Sequence, residues 1–112
     1  ISTFVTGKII KNVIIRNAKL RWLIPYEIIK HLKNNQIVKL KRRAKYLLFE
    51  TRNGCLIMHL GMSGSLRITE FNQPFMKHDH VDFVFEEYIL RYNDPRRFGC
   101  IYGRIMTHYH IN

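Results

Sequence analysis

The amino-acid sequence predicts a mainly β protein of the α+β class: an antiparallel β-sandwich or flattened barrel with one short helix. Apolar and polar residues alternate with a period of two in several segments, turn-forming residues separate these segments at close intervals, and one segment has helical spacing. Short strands at this spacing are typical of sandwiches and barrels. A chain of 112 residues is long enough for one domain and too short for two ordinary ones. We therefore expect a single domain over residues 1–112.

The first half of the chain predicts two strands and the helix. Residues 8–16 are rich in β-branched side chains and end at a polar turn, so they predict a strand. Apolar residues at helical spacing follow Pro25, and the pair Asn34-Asn35 interrupts them. A short helix is therefore predicted over 25–32. A second strand is predicted over 36–41.

The second half predicts two hairpins and a last strand. Asn53-Gly54 fits a turn that needs positive φ, so the flanking segments 46–50 and 55–59 are expected to pair. The other predicted elements are a hairpin of 81–85 and 88–92 across Glu86-Glu87, a strand over 100–105, and a long loop at 70–78.

The charge of the chain points to a polyanionic partner. Nineteen Lys and Arg residues against eight Asp and Glu residues give a net charge of +11. Nucleic acid is the leading candidate. A membrane surface is second, but no stretch has the pattern of a long basic amphipathic helix. Because no apolar run reaches membrane-spanning length and no export signal is present, we expect a cytoplasmic protein without a membrane partner.

No metal site is predicted in this chain. Cys55 and Cys100 each stand alone in an apolar segment and no C-x-x-C occurs, so a zinc ribbon is not encoded and two buried, reduced thiols are expected. The His-Asp-His segment at 78–80 offers two histidines at alternate positions, which falls short of a ligand set. Structural hydrogen bonds are expected instead for Asp79, His80 and Asp82.

Two glycine-rich motifs are the most informative segments, H-L-G-M-S-G-S at 59–65 and D-P-R-R-F-G at 94–99. Each places one apolar side chain, Met62 or Phe98, among glycines, cations and small polar groups. This suits a turn that presents a wedge to a base stack, with cations beside it to hold phosphates. The alternative is two hairpin loops whose apolar side chains fold back into the core. On a chain this basic, the two motifs together favour recognition of damaged DNA.

The local chemistry of the second motif predicts a turn. The Asp94 side chain can cap the amides that follow it, and Pro95 fixes its own φ. If the backbone after Pro95 is extended, Arg96 lies on the same side as Phe98 and Arg97 on the other. Elsewhere, Lys45 stands at the mouth of a predicted strand. It could hold a phosphate, act as an amine nucleophile, or be a solvated strand-end lysine.

Five separated segments, in the expected order, resemble the bacterial formamidopyrimidine-DNA glycosylases. They are R-N-A-K-L-R-W at 16–22, R-R-A-K-Y-L-L at 42–48, the motif at 59–65, K-H-D-H-V-D at 77–82, and L-R-Y at 90–92 leading into D-P-R-R-F-G. The last dozen residues depart from the family pattern. The related endonuclease VIII lacks the Met and R-R-F-G pair, so the resemblance points to the branch that repairs oxidised purines.

The resemblance implies residues that contact the DNA backbone. Lys45 would bind a phosphate beside the lesion, and Arg97 would grip the backbone phosphate. His59 and His78 would lie near the DNA as neutral imidazoles that donate to phosphate.

It also implies residues that enter the base stack. Met62 would fill the gap left by the extruded nucleotide, for which its unbranched thioether is suited. Phe98 would wedge beside the unpaired base opposite the lesion, and Arg96 would face that base.

For the parent protein, the resemblance implies a bifunctional DNA glycosylase and abasic-site lyase. It would repair 8-oxoguanine and formamidopyrimidines by base extrusion, N-glycosidic cleavage and β-elimination. The implied partner is double-stranded DNA that contains an oxidised purine or an abasic site, bound by a monomer.

The resemblance also implies that parts of such an enzyme are missing. Family members open with Pro-Glu, whose amine is the nucleophile and whose carboxyl is the acid/base. This chain opens Ile1-Ser2-Thr3-Phe4. We therefore expect a partial, inactive N-terminal domain without the C-terminal helical and zinc-finger parts, with no cofactor of its own and zinc only in the missing part. A non-catalytic basic β-domain that binds nucleic acid remains the alternative, and exposure of Met62 and Phe98 distinguishes the two.

Overall fold

The computed structural model describes residues 2–21, 23–52 and 54–105, which form two antiparallel four-stranded sheets. The elements are α1 (Ser2–Val5), β1 (Asn12–Ile15), α2 (Tyr26–Leu32), β2 (Lys39–Arg43), β3 (Tyr46–Thr51), β4 (Gly54–His59), β5 (Ser65–Thr69), β6 (Asp79–Val84), β7 (Ile89–Asn93) and β8 (Cys100–Ile105). The first sheet has the order β1-β6-β7-β5 and the second the order β2-β3-β4-β8. In the described part of the chain no strand of one sheet pairs with a strand of the other. Of the two predicted forms, the sandwich is correct.

The predicted hairpins, helix and long loop are confirmed. β3 pairs with β4 from Tyr46↔His59 to Thr51↔Gly54, and Asn53 of its turn lies outside the described residues. β6 pairs with β7, and β8 has the predicted bounds. Asn34, just after α2, has a φ of 67°, which is incompatible with a continued helix. The helix therefore ends at the position predicted from the Asn34-Asn35 pair. Residues 70–78 connect β5 to β6.

Two predicted strands are shorter than expected. The strand predicted over 8–16 is confirmed only at Asn12–Ile15. Residues 8–10 pair instead with the chain that follows α2. The Ile10 N–H donates to the Asn35 carbonyl (3.0 Å), and the Ile37 N–H donates to the Lys8 carbonyl (2.8 Å). Since these backbone groups are already satisfied, regular pairing begins only at β1 and β2.

Two elements were not predicted from residue patterns. β5 forms an edge of the first sheet, and its alternation of Leu66 and Ile68 with Arg67 and Thr69 is a strand signal within a short segment. α1 is a single helical turn of four residues.

The core lies between the sheets. The rings of Phe49 on β3 and Phe83 on β6 stack with centroids 6.3 Å apart and join the two layers. Burial of each ring stabilises the fold by about 1.5–3 kcal/mol. Ile28 and Leu32 on α2 add to the same cluster. The core holds the two sheets face to face, and the connections from β4 to β5 and from β7 to β8 cross between them.

Ion pairs to two buried carboxylates hold the first sheet together, and the structural hydrogen bonds predicted for Asp79 and Asp82 are confirmed. Asp82 accepts from Arg91 Nε (2.9 Å) and from Arg16 Nη2 (2.8 Å), and Asp79 accepts from both terminal nitrogens of Arg67 (2.9 and 2.7 Å). Arg91 also donates to two backbone carbonyls of the 70–78 loop at 3.1 Å. The pairs therefore fix the loop as well as the strands.

The cysteine prediction is correct for one residue. Cys100 is buried and Cys55 is half-buried, and both are free thiols. Burial raises the pKa of the Cys55 thiol, and the nearby Glu50 carboxylate adds to the rise. None of the helices described is long and apolar enough to cross a membrane.

Candidate nucleic-acid interface

Two loops carry the glycine-rich motifs, and each joins one sheet to the other. The Met62 loop (residues 60–64) links β4 to β5, and the Phe98 loop (residues 94–99) links β7 to β8. His59 pairs with Cys100 in the second sheet, and Ser65 pairs with Asn93 in the first. Because both ends of both loops are paired in this way, the loops lie side by side.

Glycines allow the two loops to touch through their backbones. Gly61 has a φ of 68°, and a Cβ there would lie 3.0 Å from the Gly99 nitrogen and from the Phe98 carbonyl carbon. A Cβ at Gly99 would overlap the Tyr92 hydroxyl and the His59 carbonyl. At both positions a side chain would separate the loops.

Asp94 links the loops by hydrogen bonds. Its Oδ1 accepts from the Ser63 hydroxyl (2.5 Å) and the Arg97 N–H (3.1 Å), and its Oδ2 accepts from the Tyr92 hydroxyl (2.6 Å) and the Gly99 N–H (2.9 Å). The predicted capping of the following amides is therefore confirmed. Its backbone carbonyl accepts from His80 Nε2 at 2.7 Å, in keeping with the structural role predicted for that histidine.

This network sets the charge state of two buried groups. Burial alone would raise the pKa of the Asp94 carboxyl, but the hydrogen bonds from Ser63, Tyr92, Gly99 and Arg97 outweigh it and hold the pKa below its ordinary value. Burial raises the pKa of the Tyr92 phenol, and its hydrogen bond to Asp94 raises it further. At neutral pH a carboxylate and a neutral phenol therefore share this site.

Met62 and Phe98 are exposed, so the alternative that places them in the core is wrong. The Met62 side chain is 78% exposed and Phe98 is 48% exposed, whereas Met58 on the adjoining strand is fully buried. The Arg96 guanidinium carbon lies 4.8 Å from the centroid of the Phe98 ring, within cation–π distance. An aromatic ring, a cation and a thioether are thus presented to solvent together.

These side chains line an open groove of about 740 Å³ that carries positive charge. Among the described residues that line it, none is acidic; they are Lys19, Leu20, Arg21, Lys45, His59, Gly61, Met62, Arg96, Arg97 and Phe98. Cations around an apolar floor suit a polyanion that also offers flat apolar surfaces.

Lys45 and His59 lie together at one wall of the groove. Lys45 follows Ala44, whose φ of 53° forms the tight turn between β2 and β3, and its carbonyl accepts from the Leu60 N–H at 3.0 Å. His59 Nδ1 accepts from the Gly61 N–H at 3.2 Å. The neutral ring therefore carries its proton on Nε2, which is the tautomer that can donate to an anion.

The expectation that Arg97 lies opposite Phe98 is wrong. The backbone after Pro95 forms a turn and is not extended: Arg97 has a φ of 56°, and its N–H also donates to the Asp94 carbonyl at 3.2 Å. Arg97 consequently lines the same groove as Arg96 and Phe98.

His78 is the one predicted site residue that does not line the groove. It is half-buried, with its ring centroid 6.3 Å from that of His80, and its carbonyl accepts from the Asp94 N–H at 3.1 Å. It is therefore joined to the Phe98 loop through Asp94.

Lys19, Leu20 and Arg21 line the groove but were not predicted as site residues. The segment 16–22 resembles the family pattern, and its cations are the sequence signal that marks it as part of a DNA-binding groove. The Arg21 N–H donates to the Gly99 carbonyl at 3.1 Å, which holds this segment against the Phe98 loop.

The chain is similar in sequence and in fold to known proteins. The sequence pattern of the formamidopyrimidine-DNA glycosylase N-terminal domain matches residues 1–101. The formamidopyrimidine-DNA glycosylases of Psychromonas ingrahamii and Hydrogenovibrio crunogenus are 50% and 51% identical over 101 and 96 residues, which are 90% and 85% of this chain.

Solved structures of the Lactococcus lactis formamidopyrimidine-DNA glycosylase are also similar. One, bound non-covalently to DNA with an abasic site, has a TM-score of 0.84 and 30% identity over 93% of this chain. Another, with DNA that contains N7-benzyl-Fapy-dG, has a TM-score of 0.85 and 31% identity over the same share. This chain spans 37% and 34% of the two sequence relatives, and 40% and 39% of the two solved chains. The chain belongs to the formamidopyrimidine-DNA glycosylase family.

Proposed function

We propose that the groove between the Met62 and Phe98 loops binds double-stranded DNA at a lesion. The observation that carries the proposal is the exposure of two apolar side chains, Met62 and Phe98, on adjacent loops of a cationic groove. A single exposed apolar side chain needs no explanation, but two that lie on adjacent loops among cations form a surface that can insert into a base stack.

Each group in the groove has a distinct task in this proposal. Extrusion of a nucleotide costs a few kcal/mol, and insertion of Met62 and Phe98 recovers part of that cost. Arg96, whose guanidinium lies against the Phe98 ring, faces the base that has lost its partner. Lys45 and Arg97, which line the same groove, bind phosphates of the DNA backbone, and His59 donates to a phosphate through Nε2.

For the complete protein that carries this chain, we propose a monomeric DNA glycosylase and abasic-site lyase for oxidised purines such as 8-oxoguanine and formamidopyrimidines. Family membership supports the glycosylase activity, and the DNA bound by the Lactococcus lactis relatives contains an abasic site or a modified Fapy-dG. His78 is proposed to act near the DNA through its link to the Phe98 loop.

The nucleophile is proposed to lie outside these 112 residues. None of the three prolines, at positions 25, 74 and 95, is followed by glutamate. Zinc is proposed only for other parts of the protein, because no group of three or more His, Cys, Asp and Glu side chains in the described ranges could hold a metal.

Binding to a set of matched duplexes tests the DNA-probing role. The 112-residue chain should bind a duplex with a tetrahydrofuran abasic analogue more tightly than the same duplex undamaged. Met62→Ala and Phe98→Ala should reduce that preference. Equal affinity for both duplexes, unchanged by the substitutions, would support the non-catalytic nucleic-acid-binding domain instead.

The proposed substrate class must be tested with the complete protein. It should release 8-oxoguanine from a duplex and cleave the strand at the resulting site. Cleavage of oxidised pyrimidines without any action on oxidised purines would contradict the proposed substrate class.

A further inference from the structure

We infer that the hydrogen bond between Ser63 and Asp94 is a latch that makes Met62 and Phe98 act as a single probe. The inference rests on the proposed function, because it assigns positioning residues to a DNA-probing site. Asp94 is fully buried and Ser63 is half-buried. They therefore act through the neighbouring loop residues.

The Ser63 hydroxyl binds the Phe98 loop both as a hydrogen-bond donor and as an acceptor. The hydroxyl donates to Asp94 Oδ1 at 2.5 Å and accepts from the Arg96 N–H at 3.3 Å. Ser63 directly follows Met62, so the backbone that carries Met62 is tied to the turn that carries Arg96.

The Asp94 carboxylate also fixes the backbone around Phe98. The same Oδ1 that accepts from Ser63 also accepts from the Arg97 N–H, and Oδ2 accepts from the Gly99 N–H. These two amides flank Phe98. A single side chain therefore determines the backbone on both sides of Phe98 and, through Ser63, the backbone beside Met62.

The exposed Met62 side chain needs this positioning by hydrogen bonds of the loop. Because Met62 is largely exposed, its position must come from the loop backbone and not from packing of its side chain. The loop is closed by the Gly64 N–H, which donates to the Leu60 carbonyl at 2.9 Å, and the latch orients it. A pair of side chains already held in one arrangement loses less freedom when it enters the duplex.

The latch predicts that the contributions of Met62 and Phe98 to lesion binding are coupled. In the native chain, insertion of one side chain requires the other to be in place. Once the latch is removed, the two loops act independently and their contributions multiply. A general loss of stability would not produce this change, because it would leave the coupling unaltered.

A double-mutant cycle tests the latch. Met62→Ala, Phe98→Ala and the pair are measured for affinity to the tetrahydrofuran duplex, first with Ser63 and then with Ser63→Ala. With Ser63, each single change should weaken binding about tenfold, and the pair should weaken it little more than either alone. With Ser63→Ala, the loss for the pair should equal the product of the two single losses.

Ser65→Ala is the matched control, since Ser65 is exposed on β5 two residues away. It should leave the native coupling intact. Ser63→Thr, which keeps the hydroxyl, should restore the coupling. If a thermal melt shows that Ser63→Ala is not folded, Ser63→Cys replaces it, because a thiol has a similar shape and is a weaker hydrogen-bond donor. The coupling between Met62 and Phe98 in Ser63→Cys should be intermediate.

The outcomes separate the latch from the function on which it rests. Unchanged coupling in Ser63→Ala or Ser63→Cys, with clear effects of Met62→Ala and Phe98→Ala, would overturn the latch and leave the DNA-probing role standing. No effect of either apolar substitution on binding to the abasic duplex would overturn both.

Discussion

Arg91 and Asp82 form a two-point ion pair inside the first sheet. Arg91 Nε lies 2.9 Å from Asp82 Oδ1, and Arg91 Nη2 lies 3.0 Å from Asp82 Oδ2. Both side chains are almost completely buried, with exposures of 2% and 1%. Because Arg91 also donates to the carbonyls of Gln73 and Pro74, the pair joins the centre of the sheet to the 70–78 loop.

Loss of one member of this pair should be strongly destabilising. Asp82→Asn leaves the buried guanidinium without its counter-charge, and we expect the free energy of unfolding to fall by about 3–5 kcal/mol. Urea unfolding monitored by circular dichroism measures the change. Lys41→Ala is the control, because the partly exposed Lys41–Glu50 pair at 3.3 Å should contribute less than about 1 kcal/mol. Similar losses for both variants would contradict a special role for the buried pair.

Two methionines four residues apart provide a direct comparison of loop and core. Met62→Ala should change stability by no more than about 0.5 kcal/mol, whereas Met58→Ala should cost about 2–5 kcal/mol. The buried Phe83 is the matching control for Phe98. Thermal melts of the four alanine variants check this. A large loss of stability for Met62→Ala or Phe98→Ala would show that the side chain packs in the core.

Phosphate binding by Lys45 and Arg97 should be visible in the salt dependence of DNA affinity. Each alanine substitution should reduce the slope of log affinity against log salt by about one unit, on damaged and undamaged duplexes alike. Lys39→Ala is the control, since Lys39 is exposed at the other end of β2. Fluorescence anisotropy from 50 to 300 mM salt (about the range in which such contacts are resolved) gives the slopes. Native slopes in both variants would exclude phosphate contact.

Acid should unfold the protein by protonating its buried carboxylates. Burial alone would raise the pKa of Asp79, but hydrogen bonds from Arg67, the Met76 N–H and Asn93 hold it well below the ordinary 3.8. Because the folded pKa is the lower one, its contribution to stability is present above pH 3.8 and is lost as the pH falls towards the folded pKa.

Urea titrations from about pH 6 to pH 2 measure this effect. Asp79→Asn should make the free energy of unfolding less dependent on pH over the acid range, although the variant is less stable. Glu86→Gln, at an exposed position, should leave the native pH dependence in place. The assignment to Asp79 fails if Asp79→Asn retains the full acid sensitivity.

The 112-residue chain alone should form no covalent adduct with DNA. Reduction with borohydride in the presence of a duplex that contains 8-oxoguanine should trap no complex, because the chain has no Pro-Glu nucleophile. Gel electrophoresis of the reduced mixture detects such a complex. A trapped species that disappears in Lys45→Ala would overturn the prediction and identify Lys45 as the attacking amine.

Local signals in the sequence account for the parts of the fold that could be predicted. The β3–β4 hairpin follows from alternation on both sides of Asn53-Gly54, and the end of α2 follows from Asn34. The bounds of β1 could not be predicted, because Ile9 and Ile10 are β-branched like strand residues but residues 8–10 pair with the segment after α2. That contact depends on where the helix packs.

In the candidate site, too, features set by local sequence could be predicted and features set by distant contacts could not. Met62 and Phe98 could be singled out because glycines and cations surround them in the sequence. The part played by Arg21 and its neighbours could not, since a backbone hydrogen bond to Gly99, 78 residues further on, places them. The capping by Asp94 is predicted correctly, but the φ of 56° at Arg97 is not, because a positive φ is uncommon for any residue other than glycine and nothing in the local sequence marks it.

The two loops that join the sheets give the proposed probe a stiff support. Any force that a duplex exerts on Met62 or Phe98 passes directly into both layers of the sandwich, because each loop is anchored in both. The Met62 side chain can adjust its rotamer, but the anchored loop backbones cannot move aside, so the DNA must yield to them. Under the proposed function, lesions would then be selected by deformability: a well-stacked duplex resists bending around the probe, and a site with weakened stacking gives way.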